Sequence, residues 1–155
     1  MAASAWQLYN TAKKYIGDGT ITLGAGSFKM ALANSASNAS TFTLETFGSL
    51  SGEISATGGY TSGGNEIIPA TGQWTVGASA KQIKFTYSTV GLTFTASGSA
   101  LTNVKYAVLT FGGSAGVASA RKLLCFCQLS SSQFTVSSPN TLTVLPAATG
   151  VFTLA

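Results

Sequence analysis

The chain has 155 residues, a single-domain length, and carries a net charge of +4 with a mean hydropathy of +0.34. Only 8% of residues are charged and histidine is absent, which removes imidazole bases, Ser-His-Asp triads and His-ligated metal centres. The acids are limited to Asp18, Glu45, Glu53 and Glu66, which leaves paired-carboxylate catalysis and oxygen-rich cation sites little material to draw on, and no catalytic residue, metal or cofactor is expected.

Along the chain, Ala5, Leu8, Tyr9, Ala12 and Ile16 recur at helical spacing. Ser4 and Gln7 have the spacing of a capping box, Lys13 and Lys14 suit the negative end of a helix, and Gly17 can terminate it. The pattern predicts one helix over about residues 3–16, within an N-terminal arm of residues 1–17. Trp6, Leu8, Tyr9, Lys13 and Lys14 of this arm can either pack on their own domain or dock on a neighbouring subunit.

After Gly17-Asp18-Gly19 the pattern changes to short alternating runs separated by Gly, Ser and Asn, which predicts a single β-domain over 18–155. Expected strands are 20–23, 27–33 with Phe28, Met30 and Leu32 on one face, and 41–45 with Phe42 and Leu44 on one face. The glycine-rich stretch 52–64 predicts an ordered loop, with Gly58, Gly59, Gly63 and Gly64 free to take backbone shapes closed to other residues. It is no phosphate cradle, because no Lys-Ser/Thr pair or helical pattern follows it.

Further strands are expected at 73–76, at 81–88 with Ile83, Phe85 and Tyr87 alternating against polar residues, and at 90–96. The runs 103–111 and 122–129 are apolar on both faces and read as central strands, the former followed by a small-residue loop at 114–120. Strands at 134–136, 141–145 and 151–154 complete the chain. The fold class is therefore mainly β: an antiparallel β-sandwich or barrel, jelly-roll-like, with one short N-terminal α-helix.

Cys125 and Cys127 alternate within one strand, where side chains two apart run roughly parallel and are poorly placed for a disulfide. They read as free thiols acting as small apolar residues, consistent with synthesis in a reducing cytoplasm. Hydrophobic residues make up 45% of the chain, so it should fold, yet no run approaches the ~20 apolar residues of a membrane helix. The start lacks the basic-then-apolar order of a secretory signal and reads as a mature N-terminus. The eight Lys and Arg residues are scattered, so no nucleic-acid surface is expected.

More than half of all positions are Gly, Ala, Ser or Thr. Hydroxyl side chains suit the outer faces of strands, but an isolated domain generally keeps a charged exterior. A neutral exterior is expected where it is covered by other subunits, since interface cores are depleted of charge for desolvation reasons. Trp74 and Tyr60 would be the aromatic platforms if the domain instead bound glycans; a core position is the simpler account of Trp74.

The helix ending in Gly17-Asp18-Gly19-Thr20-Ile21, the strand Phe28-Lys29-Met30-Ala31-Leu32, the turn Gly59-Tyr60-Thr61-Ser62-Gly63-Gly64 and the terminal pair Thr141-Leu142-Thr143-Val144 and Gly150-Val151-Phe152-Thr153-Leu154 together resemble a family. They look like the small virion structural proteins encoded in the head-gene region of tailed bacteriophages. The resemblance spans most of the chain, although this sequence is basic and nearly free of Asp where that family favours acidic turns.

The resemblance implies a non-enzymatic capsid cement or decoration protein, made in the host bacterial cytoplasm and bound to the outer head surface. Its partner would be the major capsid protein, with self-association as a dimer or trimer. Gly59, Tyr60, Gly63 and Gly64 carry over as fold-defining turn residues only. A tail or neck component and a host-glycan-binding module are the alternatives.

Overall fold

A computed structural model describes residues 3–24, 26–67, 74–76, 83–87, 91–112, 118–148 and 150–154. Mainly antiparallel β-structure is found, with one α-helix and, among the described residues, no closed barrel. The main sheet has five strands in the order β1 (Gln7–Leu8), β9 (Lys122–Gln128), β8 (Tyr106–Phe111), β2 (Phe28–Ala33) and β3 (Asn65–Ile67). Beside it lie the three-stranded sheet β12 (Phe152–Leu154), β5 (Ile83–Phe85), β4 (Trp74–Val76), and two ribbons. The ribbons pair β11 (Thr141–Val144) with β6 (Leu92–Thr95) and β10 (Phe134–Val136) with β7 (Leu101–Val104).

Cross-strand partners share a face, so Phe28, Met30 and Leu32 lie with Phe111, Leu109 and Ala107, and these with Cys125 and Cys127. That face meets the smaller sheet: the Phe28 ring lies 5.2 Å from Phe85, which in turn stacks on Phe152 at 5.2 Å. On the opposite face Phe126 is covered by Tyr9 and Phe42, at 5.2 and 5.6 Å. With both faces covered, the inner residues of β8 and β9 are apolar apart from Thr110, and Ala107, Val108, Leu109, Leu123, Leu124 and Cys125 have no exposed surface. Each such Leu or Val contributes about 1.5–3 kcal/mol by leaving water.

Several local expectations are corrected. The helix, α1, spans only Asn10–Gly17, and the preceding residues run extended along β9. The edge of β9 presents N–H and C=O groups that need partners, and a short helix gains little without tertiary packing. Ser4 N–H donates to the Gln128 carbonyl (2.8 Å) and Tyr9 N–H to that of Leu124 (3.1 Å), so Ser4 is no helix cap. Its hydroxyl accepts from Gln128 N–H at 2.9 Å.

The run 103–111 is not one strand. It breaks at Lys105, between the end of β7 at Val104 and the start of β8 at Tyr106; within β7, Asn103 adopts a positive φ of 62°, a shape Asn tolerates better than most residues. Residues 20–23 and 41–45 form turns, bends and irregular backbone rather than strands. Ile21 and Leu23 are nevertheless buried, whereas Phe42 stays 43% exposed. The apolar alternation there serves packing of irregular backbone, which mimics a strand in the sequence.

Within 81–88 the described strand is β5; Phe85 and Tyr87 are buried as their alternation predicts, but Ile83 is 41% exposed. Residues 81, 82, 88 and the loop 114–117 lie outside the described residues. Among the described residues no helix is long and apolar enough to cross a membrane.

Candidate functional site

The turn residues singled out from sequence form a tightly bonded unit. Gly59, Gly63 and Gly64 have φ of 83°, 86° and 83°, the left-handed region that costs glycine least. At Gly64 a Cβ would also collide with the Met30 carbonyl of β2. The loop closes around a residue that sequence reasoning passed over, Glu53. Its carboxylate accepts from the Tyr60 hydroxyl (2.7 Å), the Gly63 N–H (2.5 Å) and the Ser62 hydroxyl (3.1 Å).

Tyr60 is buried and its hydroxyl also accepts from Leu32 N–H at 3.1 Å, a strand amide beyond the end of the β2–β3 ladder. Burial and the adjacent carboxylate push the phenol well above its ordinary range, so it is a fixed donor. Nearby lies the buried Arg121, whose guanidinium covers the Phe47 ring at 4.7 Å and donates through Nε to the Ala118 carbonyl at 3.2 Å. Desolvation lowers its pKa, partly countered by Glu53. This network ties a surface loop to β2; an aromatic held this way is not a glycan platform.

The arm residues are divided by the fold. Tyr9 is fully buried, donates its hydroxyl to the Ala39 carbonyl (2.7 Å) and covers Phe126; Leu8 is half-buried opposite Cys125. Trp6 is half-buried, edge-on to Tyr87 with centroids 6.4 Å apart. Lys13 and Lys14 remain exposed on α1. The helix is pinned instead by Tyr15, whose hydroxyl donates to Glu45 while Lys122 Nζ lies 3.2 Å from that carboxylate. Hydrogen bonds from Tyr15 and Lys122 hold Glu45 below the usual carboxylate range. The thiols of Cys125 and Cys127 are free and buried, and burial raises both pKa values, that of Cys127 to about 12, which makes them chemically quiet.

Two surface features were hidden in the sequence. The first is the exterior of the ribbons and of β12. The exposed residues of β6, β7, β10, β11 and β12 are Thr93, Thr95, Thr102, Asn103, Thr135, Thr141, Thr143 and Thr153, without a single charge among the described side chains. In the β6–β11 register Thr93 faces Thr143 and Thr95 faces Thr141, forming a two-by-two patch of hydroxyl-and-methyl side chains. Thr93 and Thr143 hydrogen-bond to each other at 2.9 Å. The second feature is a cavity of about 420 Å³ at the end of this ribbon, walled by Trp6, Leu129, Val144, Leu145 and Val151 with Cys127 among its lining residues. Leu145 is 55% exposed.

Trp74 is half-buried against Phe152, with ring centroids 6.5 Å apart, in line with a packing role. Comparison with protein-family models, curated proteins and solved structures finds no match.

Proposed function

We propose that this chain is a non-enzymatic virion structural protein of the capsid cement or decoration type, binding the outer head surface of a tailed bacteriophage between major capsid subunits. The uncharged exterior of β6, β7, β10, β11 and β12 supports this reading most directly. Exposed strands normally carry Lys or Glu, which keep the molecule in solution and discourage edge pairing. A threonine exterior sheds its water cheaply and carries no charge to be stranded in an interface, so it suits repeated packing against other subunits. Binding only to the assembled shell would stabilise that shell by mass action, and a dimer or trimer would multiply weak contacts. Lys13 and Lys14 are free to contribute at the rim.

The experiment is quantitative mass spectrometry of purified particles. Hundreds of copies per particle are the expected outcome; a copy number at the level of a single ring would move the protein to the neck or tail, and absence from particles would end the proposal. A glycan array tests the binding-module alternative, for which no feature of the surface speaks specifically.

A further inference from the structure

We infer that the cavity beneath Trp6 and Leu145 is an anchor pocket for one uncharged, apolar side chain of a neighbouring capsid subunit, with the threonine patch of β6 and β11 as its seal. The inference rests on the proposed capsid role and names the contact through which it would operate. Its volume of about 420 Å³ falls within the ~300–1,000 Å³ of pockets that accept small organic groups, and is ample for an aromatic or branched aliphatic side chain.

The chemistry of the lining selects the occupant. None of its residues is Asp, Glu, Lys or Arg, and Leu129, Val144 and Val151 present alkyl surface. Cys127 stays a neutral thiol because burial raises its pKa. A charged group entering there would lose its hydration without gaining a counter-ion, whereas an apolar one loses only unfavourable contact with water.

Position makes the pocket an anchor rather than an isolated void. Thr143 lines it and also belongs to the exposed threonine patch, so pocket and patch are one continuous neutral surface. Leu145, one of three large apolar side chains left exposed among the described residues, also lines it. Interfaces commonly concentrate their energy in one desolvated anchor surrounded by contacts of little individual worth that exclude water. Trp6, edge-on to Tyr87, gives the pocket an aromatic wall.

The test has two arms. In the first, amide shifts of isotope-labelled protein are followed during titration with N-acetyl-phenylalaninamide, N-acetyl-leucinamide, N-acetyl-lysinamide and N-acetyl-glutamic acid amide. Saturable shifts at Trp6, Leu129, Leu145 and Val151 are expected for the first two, at least about tenfold weaker for the charged pair. No saturable shift, or equal response to all four, overturns the inference.

In the second, wild-type protein, Leu145→Asp and Ala147→Phe are added to particles stripped of the protein. Both positions are exposed, so the fold should survive, which circular dichroism checks. Each variant should bind at least about tenfold more weakly than wild type. Variants that bind like wild type overturn the anchor role while leaving the cement reading standing. If wild type itself fails to bind, the cement reading falls and takes the assigned partner with it, whatever the amides show.

Discussion

The central strands β8 and β9 and the ribbon strands β6 and β11 are all poor in charge, but for different physical reasons. In β8, and in β9 after its terminal Lys122, neutrality follows from folding: both sheet faces are covered by the chain itself, and a charge there would be desolvated without a partner. In β6 and β11 only alternate residues turn inward, Phe94 and Val144 being buried, while Thr93, Thr95, Thr141 and Thr143 face out. Folding places no demand for neutrality on those positions. What they teach is that low charge in a sequence combines two separate signals, a core requirement and a surface property, and only the second bears on the proposed contact with other subunits.

Substitutions can separate the two. The largest effect on stability belongs in the sheet: Leu109→Ala in β8 leaves a cavity between two covered faces and should cost about 2–5 kcal/mol in chemical denaturation. A loss under 1 kcal/mol would show that β8 is not the shared core. Next comes Tyr60→Phe, which strips the Leu32 amide of its acceptor and Glu53 of a donor; about 1–3 kcal/mol should be lost, read in the same assay.

A smaller effect is expected from Glu45→Gln at the helix pin, and it should depend on pH. Because the folded-state pKa of Glu45 is depressed, its contribution is present above the unfolded value near 4.5 and is lost as pH falls through the lower folded value. Wild type and variant should therefore differ in thermal midpoint at neutral pH and converge in acid; a gap that widens in acid would contradict the pin. Least of all should be felt from Thr143→Lys on the ribbon, within about 0.5 kcal/mol of wild type in stability. Its consequence should fall on particle binding, and unchanged occupancy would remove the special status of the threonine face.

The strands most legible in the sequence were those whose environment is simple. Residues 28–33, 122–128 and 134–136 follow from apolar runs or alternation, and the burial of Phe85 and Tyr87 follows from period two. Of the candidate site, the glycine turn was legible because positive φ selects glycine locally, whereas Glu53 was not, since nothing adjacent marks a carboxylate as the centre of a loop. The helix start is not legible in the sequence because Ser4 to Tyr9 satisfy a helical period and an edge strand equally well. What chose between them was the open edge of β9, over a hundred residues away. Nothing in the apolar run itself marks the break at Lys105 between β7 and β8.

By itself, then, the sequence determined the chemistry available and the local backbone: no imidazole, few acids, strand-length runs, and glycines where the chain must turn left-handed. These depend on residue identity and near neighbours. Only the tertiary structure decided which neutral residues are core and which are surface, because period-two alternation states that faces differ without stating what covers each. It took packing to turn Tyr9 inward, to gather Ala3–Trp6 and Thr143–Ala147 around one cavity, and to leave the threonines of β6 and β11 facing out.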